Sequence, residues 1–167
     1  MSREGALAVM IAVSVVLLGL LAWAWWRRTR RDSGLHAPVG EAPEDAATLS
    51  RHDVLYVATT RHGEPLERLA IRGLGFRSRA DLTVTSAGIA LDLTGQSRFF
   101  LPIAQLVDVG QATVAIDRVV ERDGLVRVAW NAEPGTTVDS YFRPQDASAR
   151  AVADEIGALL TSTGTDE

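Results

Sequence analysis

The apolar positions of this chain fall into two patterns. From Gly5 to Trp26 there are 22 consecutive residues without a charge, broken only by the hydroxyl of Ser14. As a helix they would span roughly 33 Å, against a hydrocarbon core of about 30 Å. The ten Leu, Ile and Val residues between Leu7 and Leu21 should favour insertion by about 3–6 kcal/mol, with no charge opposing them. A transmembrane helix is therefore predicted over residues 5–26. Trp23, Trp25 and Trp26 form an interfacial aromatic belt, and Arg27, Arg28, Arg30 and Arg31 follow at once. Positive flanks stay inside, which predicts the N terminus outside and the rest of the chain in the cytoplasm, at the plasma membrane. A cleaved signal peptide would carry its charges before the apolar run. Ala22-Trp23-Ala24 has small residues at cleavage spacing, but it lies among tryptophans directly before the arginines.

Beyond the helix, the Arg-rich flank and the stretch Asp32 to His52, with Pro38, Gly40 and Pro43 and no hydrophobic period, read as a flexible linker over residues 27–52. As a coil its last 20 or so residues reach about 25 Å. A domain is expected over 53–162, then a disordered tail over 163–167. Its strands are predicted at Val54–Thr60, Leu82–Thr85, Ile89–Leu93, Arg98–Leu101, Val107–Ile116, Leu125–Trp130 and Thr137–Phe142. The turns between them fall at His62-Gly63-Glu64-Pro65, Ser86-Ala87-Gly88, Gly95-Gln96-Ser97, Asp123-Gly124 and Glu133-Pro134-Gly135, with Gly88 supplying a positive φ. Val152, Ile156, Leu159 and Leu160 then keep helical spacing, with Asp146 as N-cap. The fold class is mainly β: an antiparallel barrel or sandwich of about seven strands, closed at one open end by the C-terminal helix.

Composition narrows the chemistry. The chain has no cysteine and no lysine, which excludes disulfides, thiolate metal sites, Schiff-base chemistry and a Walker-type phosphate loop. Residues 53–167 hold 11 Arg against 16 Asp and Glu; an acidic domain lacks the basic face that nucleic acid requires. His36, His52 and His62 lack the spacing of a metal site, and Ser86, Ser97 and Ser140 lack a nucleophile-elbow context. No catalytic residue, metal site or cofactor is expected.

Seven strands and a closing amphipathic helix are the layout of pleckstrin-homology-like (PH-like) domains. Leu82-Thr83-Val84-Thr85 to Gly88-Ile89, Phe100-Leu101-Pro102-Ile103 and Leu106-Val107-Asp108-Val109 resemble bacterial members of that group. Tyr56-Val57-Ala58-Thr59-Thr60 and Arg72-Gly73-Leu74-Gly75 behind an N-terminal membrane helix resemble an actinobacterial family of membrane-anchored PH-like proteins. PH-like folds often serve as docking platforms, which together with the missing chemistry implies a non-enzymatic module that binds a protein partner, and the arginine flank puts it on the cytoplasmic face. The resemblance also draws attention to Arg68, Arg72, Arg77 and Arg79, since basic residues between the first two strands contact headgroup phosphates in lipid-binding PH domains, and arginine forks onto phosphate. The alternatives are then anionic lipid binding through this segment, and an accessory subunit of a transporter or membrane complex acting through the helix. Gly73-Leu74-Gly75-Phe76 also matches the carboxylate-cradling loop of PDZ domains, but no binding helix follows it, so it reads as a turn. Trp130, Tyr141 and Phe142 read as core or barrel-rim residues rather than a ligand cage.

Overall fold

The computed structural model describes residues 3–31, 34–115, 118–119, 124–133 and 135–162. Asp32, Ile116, Asp123, Pro134 and the expected tail 163–167 lie outside the described residues, as do the side chains of Arg28 and Arg31. Two compact units are distinguished, Met1–Gly34 and Leu35–Glu167.

In the first unit a single helix, α1 (Arg3–Arg31), runs through the apolar stretch. Its segment Leu7–Arg27 is long and apolar enough to cross a membrane, and none of it is buried within the protein. The one polar side chain in the middle costs little, because Ser14 Oγ donates to the Met10 carbonyl one turn back at 2.8 Å. At the C-terminal end the guanidinium of Arg27 lies 5.5 Å from the Trp23 ring and that of Arg30 lies 4.2 Å from Trp26. These i, i+4 pairs place cation over π-face.

The second unit is mainly β. Its strands are β1 (Thr48–Arg61), β2 (Glu64–Arg68), β3 (Ser78–Thr85), β4 (Gly88–Leu93), β5 (Phe99–Pro102), β6 (Leu106–Ala112), β7 (Val114–Ala115), β8 (Arg118–Val119), β9 (Leu125–Glu133) and β10 (Thr136–Pro144), and α2 (Ala149–Ser162) follows. The antiparallel main sheet runs β5-β4-β3-β1-β10-β9-β6, with β2 paired to β1 off that path and β7-β8 as a separate hairpin. The path contains the seven strands expected from the sequence. The short β2, β7 and β8 were beyond the reach of a periodic signal.

The 14-residue β1 joins the two halves of the sheet. Thr48 to Tyr56 pair with β3, and Val54 to Arg61 pair with β10, with a register shift between Tyr56 and Ala58. A bulge there bends the strand, so both halves turn their inner faces to one core. That core gathers Val54, Leu82, Ile89, Phe99, Val128, Trp130 and Phe142, and Val152, Ile156 and Leu159 of α2 complete it. Between β3 and β4 a two-residue turn forces Gly88 to a φ of 152°. A Cβ there would run into the Leu101 carbonyl and approach Pro102 Cα to 2.8 Å, so only glycine lets the third strand pass this closely.

A polar chain crosses the middle of the core. Trp130 Nε1 donates to Ser140 Oγ at 2.9 Å, and Tyr56 OH donates to the Leu74 carbonyl at 2.8 Å. With one proton per hydroxyl, Ser140 must then donate to Thr59 Oγ1 (2.7 Å) and Thr59 to Tyr56 (2.9 Å). Every member is satisfied, which makes a buried network tolerable. Burial pushes the Tyr56 phenol up to about 12, so it stays neutral and keeps its proton for Leu74.

Two expectations are corrected. The linker over 27–52 does not extend to residue 52. Ala37 is buried in the core, Leu35 packs on it, and Thr48 to His52 already belong to β1. The helix N-cap is Ser148, whose Oγ accepts the Ala151 amide at 3.1 Å. Asp146, two residues too early for a helix starting at Ala149, instead accepts the Asp53 amide at 3.1 Å.

Candidate functional site

The sheet has two ends, and they are finished differently. Along β5, the segment from His36 to Gly40 lies as a strap. The Phe100 amide donates to the Pro38 carbonyl at 3.1 Å, the Gly40 amide to the Arg98 carbonyl at 3.2 Å, and Val39 bridges Phe99. His36 forms a parallel bridge with Arg72 on the neighbouring loop. The strap therefore fills the edge of β5 and covers a small apolar space among Leu74, Leu91, Phe99, Trp130 and Phe142.

Nothing among the described residues pairs with β6 on the side away from β9. Beside it, between β6 and α2, runs an open groove of about 480 Å³, lined by Val109, Gly110, Gln111, Ala153, Asp154, Gly157, Ala158 and Thr161. Its helical wall is low because the residues are small; a Cβ built at Gly157 meets nothing within 4 Å. Val107 is 47% exposed at the start of the strand. The only charged side chain in β6 is Asp108, which is held by Arg127 of β9. α2 is tied to β1 across the sheet. Glu155 accepts from Ser50 Oγ at 2.6 Å and meets His52 Nε2 at 2.8 Å, with Asp146 3.8 Å from the other ring nitrogen. The Ser50 hydrogen bond first and the His52 contact second hold the Glu155 carboxyl below its ordinary range.

The four arginines read from the sequence are distributed over different surroundings. Arg68 sits half-buried on β2, close enough to influence the Tyr56 phenol. Arg79 stands on the outer face of β3, where it lines a shallow pocket with Asp53, Asp81 and Asp92. Those three carboxylates lie opposite one another across β1, β3 and β4. Arg51 bonds Asp81 at 2.8 Å and lowers its carboxyl, while Arg98 bonds Asp92 at 2.6 Å. Arg72 and Arg77 remain together with Phe76 on the exposed loop before β3, and Phe76 is 86% exposed. The loop is fixed from below. Leu74 is buried, its carbonyl takes the Tyr56 proton, and Gly73, at φ 86°, lies so close to Phe99 that a Cβ would sit 2.5 Å from the ring. The Gly73-Leu74-Gly75-Phe76 stretch is thus a pinned turn whose buried leucine packs in the core.

At the turn between β1 and β2, His62 Nδ1 lies 2.8 Å from the buried carboxylate of Asp139, which also accepts the Gly63 amide at 3.0 Å and Arg127 Nη1 at 3.4 Å. This cluster fixes the turn between β1 and β2. Sequence spacing could not reveal it, because residues 62 and 139 meet only through the β1-β10 pairing. Trp130 and Phe142 are core residues, and Tyr141 belongs to a second small apolar cluster with Leu125 on the outer face.

A family model described as bacterial PH domain-like matches residues 34–156. The matched region begins at the strap and ends within α2, so it takes in the whole sheet. No match to the chain is found among curated proteins.

Proposed function

Since the chain belongs to the bacterial PH domain-like family, we propose that it is a non-enzymatic docking module, anchored in the plasma membrane by α1 with its β domain in the cytoplasm, and that it engages a protein partner along the open edge of β6. The observation that carries this reading is the asymmetry of the sheet. One end is closed by the chain's own strap, and at the other no further strand among the described residues pairs with β6, which runs beside a groove. An unpaired edge presents a row of backbone donors and acceptors that an added strand can satisfy. The test is to place lysine at Val107 and Gln111 together in the full chain. Recovery of partners by crosslinking in the native membrane should fall at least about tenfold, with the protein still inserted. Unchanged recovery would end the reading.

A second reading is favoured by one observation. Phe76 stands almost fully exposed between Arg72 and Arg77, and Leu66 on β2 is 69% exposed. An aromatic side chain flanked by arginines suits the headgroup region of an anionic bilayer. The N-terminal contact set of Trp23, Trp25, Trp26 and the arginines from Arg27 would anchor the same leaflet. Phe76→Ser combined with Arg72→Glu and Arg77→Glu should weaken binding of the domain to anionic vesicles, and equal binding by the parent and the variant would exclude this role.

A further inference from the structure

We propose that the edge of β5 is a strand-exchange site: the strap, residues 35–40, occupies it from within the chain, and an extended segment of a partner protein, apolar at the places of Leu35 and Ala37 and acidic at that of Glu41, takes the strap's place. This concerns the opposite end of the sheet from the docking edge proposed above and does not depend on it. The strap itself shows what the edge accepts. The Phe100 amide donates to the Pro38 carbonyl and the Gly40 amide to the Arg98 carbonyl, so the seat is read largely by main chain, as in strand addition. Ala37 is buried in the core and Leu35 packs on it, while Val39 is 70% exposed. Arg98, held charged chiefly by Asp92, also feels the carboxylate of Glu41. Two apolar side chains, an open position and a carboxylate make a pattern short enough for a foreign peptide to carry.

The strap is also seated so that it can leave. It meets its neighbours through isolated bridges, Val39 with Phe99 and His36 with Arg72, and is not a strand of the main sheet. β5 is paired along its length with β4, from Gly88 with Pro102 to Leu91 with Phe99, and keeps that support when the strap is absent. Pro38 brings no amide hydrogen to the edge. Ala37 underfills its place, because an apolar space of about 10 Å³ remains among Leu74, Leu91, Phe99 and Trp130, close to the least that holds one water-sized group. A segment with valine at the place of Ala37 fills that space. It has to displace only a short element, of the kind that opens locally while the rest of a domain stays folded. While the strap is seated it lowers the apparent affinity of the edge by the fraction of time the edge is closed, which makes it an autoinhibitory contact.

The chain has no cysteine, so a disulfide can lock the strap. Gly40 faces Arg98 across the edge, and a Cβ at Gly40 meets nothing within 4 Å. Facing residues joined by main-chain bonds stand about 5.5 Å apart, within disulfide range. The full-length chain with Gly40→Cys and Arg98→Cys, in detergent, would be titrated oxidised and reduced with a labelled synthetic peptide of residues 35–42 carrying Ala37→Val, up to about 1 mM, the scale of a tethered segment's effective concentration. The oxidised chain should bind at least about tenfold more weakly. Adding Ala37→Gly to the chain removes a buried methyl from the strap and should tighten binding by the reduced form about threefold or more. A peptide that also carries Gly40→Pro lacks the amide for the Arg98 carbonyl and should bind about fivefold more weakly. One protein is compared in two redox states, so misfolding cannot imitate the difference. Equal binding by the oxidised and reduced chains, or none by the reduced chain with Ala37→Gly, overturns the proposal. Disulfide dimers formed on mixing Gly40→Cys chains with Arg98→Cys chains, and absent from either alone, would make the occupant a second copy and overturn the partner segment. β6 is unaltered in every variant, so these results leave the reading of that edge where it stands.

Discussion

The β5 and β6 ends of the sheet pose the same physical problem, a row of backbone groups without a neighbouring strand, and among the described residues a strap meets it only at β5. At β5 the strap brings Ala37 into the core and gives Pro38 and Gly40 backbone partners. At β6 the neighbour is a groove and a helix of small residues. The strap end is thus part of folding, whereas β6 gives Leu106 and Val109 to the core and leaves Val107 exposed. An edge with no further strand among the described residues is a place where an added strand can bind.

The largest effect should come from breaking the closed end. Ala37→Asp would put a carboxylate among apolar side chains and should destabilise the domain by about 2–4 kcal/mol, read as a lower midpoint in urea unfolding of the full chain. Tyr56→Phe comes next. It strands the Leu74 carbonyl and removes the acceptor of Thr59, so a loss of about 1–3 kcal/mol is expected, with faster amide exchange through residues 69–77 while exchange in β6 stays as it was.

A smaller effect concerns the helix beside the open end. The Glu155 carboxyl is lowered from its ordinary value of 4.5 by Ser50 and His52. Its folded-state pKa is therefore below the unfolded one, so its contribution is present above about 4.5 and is lost as pH falls through the lower folded value. Stability should decline with acid in that window, and Glu155→Gln should flatten that part of the profile. The smallest effect on stability should come from the lysine pair at Val107 and Gln111, within about 0.5 kcal/mol by the same urea measurement. A large loss there would erase the contrast between the two ends.

The arginine segment shows why residues close in sequence need not form one site. Arg72 and Arg77 share a loop, but Arg79 lies on the outer face of β3 near three aspartates and Arg68 sits half-buried on β2. The segment is shared out among β2, the loop and β3, so residues close in sequence are carried into different surroundings. Asp146 was expected as the cap from its place after Pro144, but the helix takes Ser148, and the Asp146 carboxylate accepts the Asp53 amide of β1 instead.

The sequence by itself determined the elements whose signal is local and repeated. These are the uncharged run of α1, the runs of β-forming residues between turns in the main sheet, the two-residue turn at Ser86-Ala87 with its glycine, and the spaced apolar stripe of α2. Each follows from a burial pattern that neighbouring residues carry together. The tertiary structure alone decided the strap, the His62-Asp139 and His52-Glu155 ties and the unequal ends of the sheet. Those depend on contacts between residues far apart in the chain, and Leu35 to Gly40 has no period of its own because its place is set by the edge of β5 that it covers.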